Sequence, residues 1–257
     1  MCYDISFTVK LKELATYFPE LENPLQLELN FDGIHIMGHS FNMHPIIYRE
    51  RETNKLTVSP MEWGVIPFYV KSEKDFLRQR ASMLNTRSER ILGDEKSYWY
   101  KIRNRRCLIP VTGVYEHRAI KGWKKKVPYY IRLIEQPLFF LPGLYSVTDL
   151  PDLQTGEMLK RFTFSLITRD GNDLMKKIHN DGENRGRMPL FLPLNMSKEF
   201  LDEDLSAERY KEILQFEMPE EKMEAITVYT IRSGNLRPDG KAKNEYWKWD
   251  KLPAEEA

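Results

Sequence analysis

Short runs of β-forming residues, separated by turn residues, restrict the fold of this chain more than any other feature of its sequence. Residues 25–31 alternate strictly between apolar and polar, and Asp32-Gly33 joins them to residues 34–37, which predicts a β-hairpin. Other strands are predicted over residues 108–115, 128–134, 138–147, 162–168, 188–192 and 225–231.

Helical patterns lie irregularly between these strands. They are predicted over residues 10–18, 75–84, 94–104, 171–178 and 197–215, the last having a Ser197 start and one apolar stripe. This order lacks the regular strand–helix alternation of a doubly wound parallel sheet. We therefore expect one α+β domain over residues 1–250, built on a curved, barrel-like, mostly antiparallel sheet with peripheral helices, and a frayed tail over residues 251–257.

Composition excludes several classes of protein. With 39 Lys and Arg against 38 Asp and Glu, the net charge of +1 excludes a nucleic-acid binder that relies on bulk positive charge, although it permits a local basic groove. There is no apolar run of membrane-spanning length and no secretory signal pattern. Cys2 and Cys107 form no disulfide framework, so we expect a reducing, cytoplasmic environment, and a monomer is the default expectation. Walker, GxGxxG, CxxC and HExxH patterns are missing, and neither a nucleotide cofactor nor a metal is predicted.

Cys2 directly follows the initiator Met1, and removal of Met1 would leave an N-terminal 1,2-aminothiol. Its amine has a reference pKa of about 7.7–8.0 and its thiol one of about 8.5, so both nucleophiles are partly available at neutral pH. Such a group can condense with an aldehyde to a Schiff base and close a thiazolidine ring, or attack an amide as an N-terminal nucleophile. A cysteine without function at this position is the alternative interpretation.

Other candidate residues each have a structural and a functional interpretation. Trp63, in Trp63-Gly64-Val65-Ile66-Pro67, is either a core residue or a platform for a nucleobase. Asn85 and Arg87 are either part of a polar cap or contacts to phosphate and base edges. Glu116 is either a surface carboxylate or a buried acid–base group, and His179 is either structural or a proton-transfer residue.

Positive charge is concentrated in a few places. Arg87, Arg106 and Arg187, with the runs 101–106 and 121–126, could line a groove for a nucleic-acid backbone. The alternative for the two runs is a solvated surface.

The order of these motifs is more informative than any one of them. They are Met1-Cys2, WGVIP at 63–67, NTRSE at 85–89, RRCLIPVTGVYEH at 105–117, and His179 leading to RMP at 187–189. Together they closely resemble the SOS response-associated peptidase family, also called abasic-site processing proteins, from residue 1 to about residue 193. The resemblance implies an autoproteolytic thiol peptidase that needs no cofactor and that acts, with a lyase-like activity, on abasic sites in single-stranded DNA.

The resemblance also implies a role for each site residue. Once Met1 is removed, Cys2 would trap the aldehyde of the abasic site as a thiazolidine DNA–protein crosslink. Asn85 would orient the Cys2 amine and the open sugar, and Arg87 would hold a phosphate. Glu116 would shuttle protons during Schiff-base formation. His179 would act on the sugar oxygen, including during reversal of the crosslink.

The same resemblance implies DNA contacts and association with the nucleoid when the protein is bound to DNA. Trp63 would stack near the lesion, where the strand is kinked, while Arg106 and Arg187 would add to the electrostatic groove.

The chain departs from the family pattern in three places. Cys2-Tyr3-Asp4 replaces the usual Cys-Gly-Arg and removes an arginine, and His117 replaces the usual Trp after Glu116. Residues 180–186 form an insertion after His179, which predicts a surface loop at the rim of the site that shifts Arg187 away from its family position.

Two other functions fit parts of the pattern. An N-terminal-nucleophile thiol peptidase or amidohydrolase would use Cys2, Glu116 and His179 on peptides and would turn over. A non-catalytic single-strand-binding module would use Trp63 and the arginines and would tolerate loss of Cys2.

Overall fold

A computed structural model of the chain describes residues 2–21, 33–152, 154–232 and 236–252. Its strands are β1 (Asp4–Phe7), β2 (Gly33–Met37), β3 (Met43–Arg49), β4 (Leu56–Trp63), β5 (Asn85–Arg87), β6 (Arg106–Val111), β7 (Gly113–Arg118), β8 (Val127–Leu133), β9 (Phe139–Pro151), β10 (Met158–Asp170), β11 (Arg187–Pro189) and β12 (Met223–Thr227). Its helices are α1 (Leu14–Tyr17), α2 (Glu73–Arg80), α3 (Ser88–Leu92), α4 (Tyr98–Lys101), α5 (Asp173–Ile178), α6 (Leu194–Glu199) and α7 (Ala207–Gln215).

Five strands close into a barrel. β10 pairs with β4 in parallel, and the antiparallel pairs β4–β3, β3–β6, β6–β9 and β9–β10 complete the ring. β5 and β11 also pair with β10. A second sheet, of order β12-β8-β7-β1-β2, is antiparallel throughout. The predicted α+β class with a barrel-like, mostly antiparallel sheet and peripheral helices is confirmed.

The chain passes from the barrel to the second sheet at Thr112. Residues 108–115 were predicted as one strand, but β6 ends at Val111 in the barrel and β7 begins at Gly113 in the other sheet. A Cβ at Gly113 would lie 2.2 Å from the ring of Tyr130, so glycine is required where the chain crosses between the sheets. This crossing carries Glu116 away from the barrel and onto the strand beside β1.

Two barrel strands, β3 and β4, are missing from the sequence-based prediction, and each contains a proline. Pro45 and Pro60 lie directly opposite each other in the β3–β4 pair. The pairings of β3 with β6 and of β4 with β10 begin only beyond these prolines, at Ile47 and Glu62. Neither proline therefore has to donate a hydrogen bond to a second neighbour, and both are tolerated inside strands.

The predicted helix over 197–215 is two helices, α6 and α7. Ser206 caps α7 by accepting a hydrogen bond from the backbone N–H of Arg209, and this cap starts a new helix partway through the apolar stripe. Phe200 and Tyr210, one on each side of the break, still pack against each other with ring centroids 5.9 Å apart.

The first arm of the predicted hairpin, 25–31, and most of the predicted tail lie outside the described residues, whereas β2 matches the second arm. No helix among the described residues has both the length and the apolar character to cross a bilayer.

Candidate active site

Pairing in the second sheet brings the N-terminus to Glu116. β1 lies antiparallel to β7 with Asp4 opposite Tyr115, so the residues before Asp4 extend along the part of β7 that carries Glu116. From the barrel, β5 contributes Asn85, whose Nδ2 donates a 2.8 Å hydrogen bond to the carbonyl of Cys2. Residues more than 80 positions apart in sequence are thereby held in contact.

The thiol of Cys2 is fully buried and donates to the carbonyl oxygen of Asp4 at 3.4 Å. Burial, followed by the nearby charge of Glu116, raises the pKa of Cys2 well above its ordinary value. The side chain is therefore a neutral thiol at pH 7 and needs a base before it can react.

Glu116 is 5% exposed, and its Oε1 has no hydrogen-bond partner among the described residues. Burial raises the pKa of this carboxyl from 4.5 to about 8. A carboxyl with this pKa is mostly protonated at neutral pH, so it can donate a proton first and accept one later.

His179 follows α5 and is 9% exposed. Its Nδ1 lies 2.8 Å from the carbonyl of Arg187; because a carbonyl only accepts, Nδ1 carries the proton and Nε2 carries the lone pair. Burial lowers the pKa of His179, which favours the neutral imidazole. Asn180 exchanges hydrogen bonds of 2.8 and 2.9 Å with the backbone of Ala119 and so fixes this turn against the chain just after β7.

A pocket of about 420 Å³ opens onto these groups. Glu116 and His179 line it together with Tyr3, Asp4, Asn184 and Arg232. A neighbouring pocket of about 680 Å³ is lined by Asn85 and Arg87. Asn184 lines both pockets, and its Oδ1 accepts a 2.9 Å hydrogen bond from Arg87, so the two pockets adjoin at this contact.

The insertion at 180–186 is a surface turn at the rim of the site, as predicted. Asp181, Gly182 and Glu183 are exposed and line the pocket, and Asp181 pairs with Lys126 at 2.8 Å.

Trp63 does not fit the predicted stacking on a base, because its ring is 1% exposed. It stacks on Phe164 with ring centroids 5.8 Å apart, and Gly38 lies so close that a Cβ there would be 3.1 Å from the indole. Its Nε1 donates to the carbonyl of Leu84 at 2.8 Å. Since Leu84 immediately precedes Asn85, Trp63 positions the start of β5 from within the core.

Arg187 and Arg106 do not fit the predicted DNA contacts either. Arg187 is 6% exposed, and its guanidinium is held by Glu89 and Asp170 at 2.7 and 2.8 Å, which neutralise its charge. Arg106 donates to the carbonyl of Asp202 and lies over a tyrosine ring, away from both pockets. Of the predicted arginines, Arg87 alone lines a pocket with an exposed side chain.

Exposed aromatic residues were missed by the sequence analysis. Phe68 and Tyr69 are 49% and 59% exposed and pack with Tyr98, with ring centroids 5.5–5.9 Å apart. The sequence signal for this exposed aromatic surface is the pair of aromatic residues directly after Pro67. Trp99, beside Tyr98, lines the pocket of Arg87.

Comparison with known proteins places the chain in a family. The family model described as SOS response associated peptidase matches residues 1–232. The abasic site processing proteins YoqW and YoaM of Bacillus subtilis are 29% and 28% identical over 224 and 197 residues, covering 84% and 75% of this chain and 91% and 78% of theirs. A crystal structure of a Bacteroides thetaiotaomicron protein superposes with a TM-score of 0.73 at 29% identity, covering 95% of this chain and 97% of that one. This chain belongs to the SOS response associated peptidase family.

Proposed function

We propose that this chain processes abasic sites in single-stranded DNA by forming a thiazolidine crosslink through Cys2 once Met1 has been removed. The observation that carries the proposal is that four separate segments meet: Asn85 bonds the Cys2 carbonyl, Cys2 lies near Glu116, and Glu116 and His179 line one pocket. The names of the similar Bacillus proteins, which describe abasic site processing, support the same substrate.

The first step is condensation of the open-chain aldehyde with the Cys2 amine. The amine adds to the carbonyl carbon and gives a carbinolamine, whose hydroxyl must leave as water. Glu116, with a pKa of about 8, is about nine-tenths protonated at pH 7 and can give that hydroxyl its proton. The products are the iminium and the Glu116 carboxylate.

The second step closes the ring. The Cys2 sulfur adds to the iminium carbon and its proton passes to the Glu116 carboxylate, which restores the acid. This order suits a buried thiol whose raised pKa keeps it protonated until the iminium has formed. One water is lost overall, and no oxidant or reductant is needed.

His179 would act before either step. An abasic sugar rests mainly as a cyclic hemiacetal, and ring opening needs a base at its hydroxyl. Since Nδ1–H donates to the carbonyl of Arg187, Nε2 carries the lone pair and would accept this proton.

DNA would be held along the two adjoining pockets. Arg87 offers an exposed guanidinium for phosphate, and Phe68 and Tyr69 offer exposed rings for the stacking that the buried Trp63 cannot provide.

Intact-protein mass spectrometry tests the proposal. We expect a chain that begins at Cys2 to gain one oligonucleotide minus one water with single-stranded DNA that carries one abasic site, and to gain nothing with an intact-base strand. Cys2→Ala should form no adduct, while Cys107→Ala, the matched change at the other buried cysteine, should still form one. A heat-stable adduct with Cys2→Ala would refute the assigned nucleophile, and repeated turnover of a peptide substrate would favour the peptidase alternative.

A further inference from the structure

Asp4 and Arg232 form an ion pair directly beside Cys2. Asp4 is 2% exposed, and its two oxygens accept hydrogen bonds from Arg232 Nε at 3.3 Å and Nη2 at 2.5 Å. His35 Nε2 lies 2.7 Å from the same carboxylate. A residue from the end of the family-matched region is thus tied to the strand that follows the proposed nucleophile.

The arrangement leaves the guanidinium facing the pocket. The Asp4 side chain is 3% exposed, whereas that of Arg232 is 48% exposed. The two bonds to Asp4 use two of the five N–H groups that a guanidinium carries. Arg232 therefore presents donors and positive charge to the pocket while the compensating carboxylate lies beneath it.

The pocket needs such a cation if it is to receive DNA. The rim carries the exposed carboxylates Asp181 and Glu183, and the Lys126 ammonium is paired with Asp181. An abasic sugar brings a phosphate on each side. Arg87 lines the neighbouring pocket and contacts this one through its hydrogen bond to Asn184. Its guanidinium can therefore bind one of the two phosphates, which leaves the other without a cation.

We propose that Arg232 binds the second phosphate flanking the abasic nucleotide and that the buried Asp4 carboxylate positions its guanidinium for this contact. The inference rests on the proposed function and deepens it, since it names the residue that orients the strand beside Cys2.

Salt-dependent DNA binding tests this contact. The probe is a fluorescent single strand with one tetrahydrofuran residue, an abasic analogue without an aldehyde, so that no crosslink forms. We expect Arg232→Gln to weaken binding about three- to tenfold at 0.1 M salt and to reduce the log–log salt slope by about 0.7, the value for one phosphate of a single strand. Arg132→Gln is the matched control: its side chain is 51% exposed, it pairs with one carboxylate at 2.5 Å, and it lies on the same sheet away from the pocket. This control variant should change neither the affinity nor the salt slope.

A change on the DNA side makes the test independent of the folding of the variant. Replacing one phosphate next to the analogue with an uncharged methylphosphonate should weaken wild-type binding by a similar factor, and Arg232→Gln should lose nothing more at that linkage. Two results would overturn the inference. In one, the affinity losses from Arg232→Gln and from the methylphosphonate add at every linkage tested. In the other, no single methylphosphonate changes the affinity of the wild type. A wild-type protein that crosslinks abasic DNA while Arg232→Gln keeps the full salt slope overturns the role of Arg232 alone, whereas a wild-type protein that binds no single strand refutes the proposed function itself.

Discussion

Glu116→Gln should stabilise the protein at alkaline pH. Ionising the buried carboxyl is unfavourable in the folded chain, since its pKa rises from 4.5 to about 8. Between these values the folded state binds more protons than the unfolded state, so the stability that this group contributes is fully present below pH 4.5 and is lost as the pH rises through 8. The amide of the Glu116→Gln variant does not titrate, so the variant does not lose this stability as the pH rises. Its free energy of unfolding should exceed that of the wild type by a margin that grows by about 4 kcal/mol between pH 5 and pH 9.

Chemical denaturation of both proteins at a series of pH values measures this margin, and taking the difference removes the titration of every other group. For a chain of this size, 4 kcal/mol corresponds to a rise in Tm of about 8–16 °C. Ser165→Ala, a change at a buried side chain with no ionisable group, should show a margin that does not vary with pH. A margin for Glu116→Gln that stays constant from pH 5 to pH 9 would refute the burial argument and, with it, the assignment of Glu116 as a proton donor at neutral pH. The same variant should slow crosslinking at least about 100-fold.

Further substitutions test the other parts of the site and fold. His179→Gln should slow crosslinking to abasic DNA about 100-fold but slow reaction with a simple linear aldehyde far less, as followed by gel and by mass; equal losses would contradict a role in ring opening. Trp63→Phe removes the hydrogen bond to the Leu84 carbonyl and should lower the free energy of unfolding by about 1–3 kcal/mol. Crosslinking should slow, whereas DNA affinity should not change because the ring is buried in the core. Gly113→Ala places a Cβ 2.2 Å from the Tyr130 ring and should destabilise the protein by more than about 3 kcal/mol. The control Gly93→Ala should be tolerated, because the nearest atom to its new Cβ lies at 3.6 Å. Similar Tm values for the two variants would show that the sheets cross elsewhere.

Much of the candidate site is predictable because its chemistry is carried by local motifs. The position of Cys2 directly after Met1 predicts the nucleophile that we propose. The segments around Asn85, Glu116 and His179 combine a reactive side chain with the strand or turn that presents it. Local patterns also predict most strands and the α+β class, since alternation and turn residues act over a few positions.

The roles of the arginines could not be predicted from sequence. Whether a guanidinium can bind phosphate depends on which carboxylates lie beside it, and these come from distant segments. Glu89 and Asp170 neutralise Arg187, whereas the buried Asp4 leaves Arg232 half exposed at the pocket. No pattern within either segment distinguishes the two cases.

Sequence alone therefore predicted the candidate reactive residues, their order and the strand-rich class of this protein. Only the tertiary structure decided that the run 108–115 divides between two sheets, that Trp63 supports β5 from the core, and that Glu116 is buried with a raised pKa. The reason is physical. Local conformation depends on neighbours along the chain, but burial, pKa and charge compensation depend on neighbours in space, and closing the barrel and pairing β1 with β7 determine which residues those are.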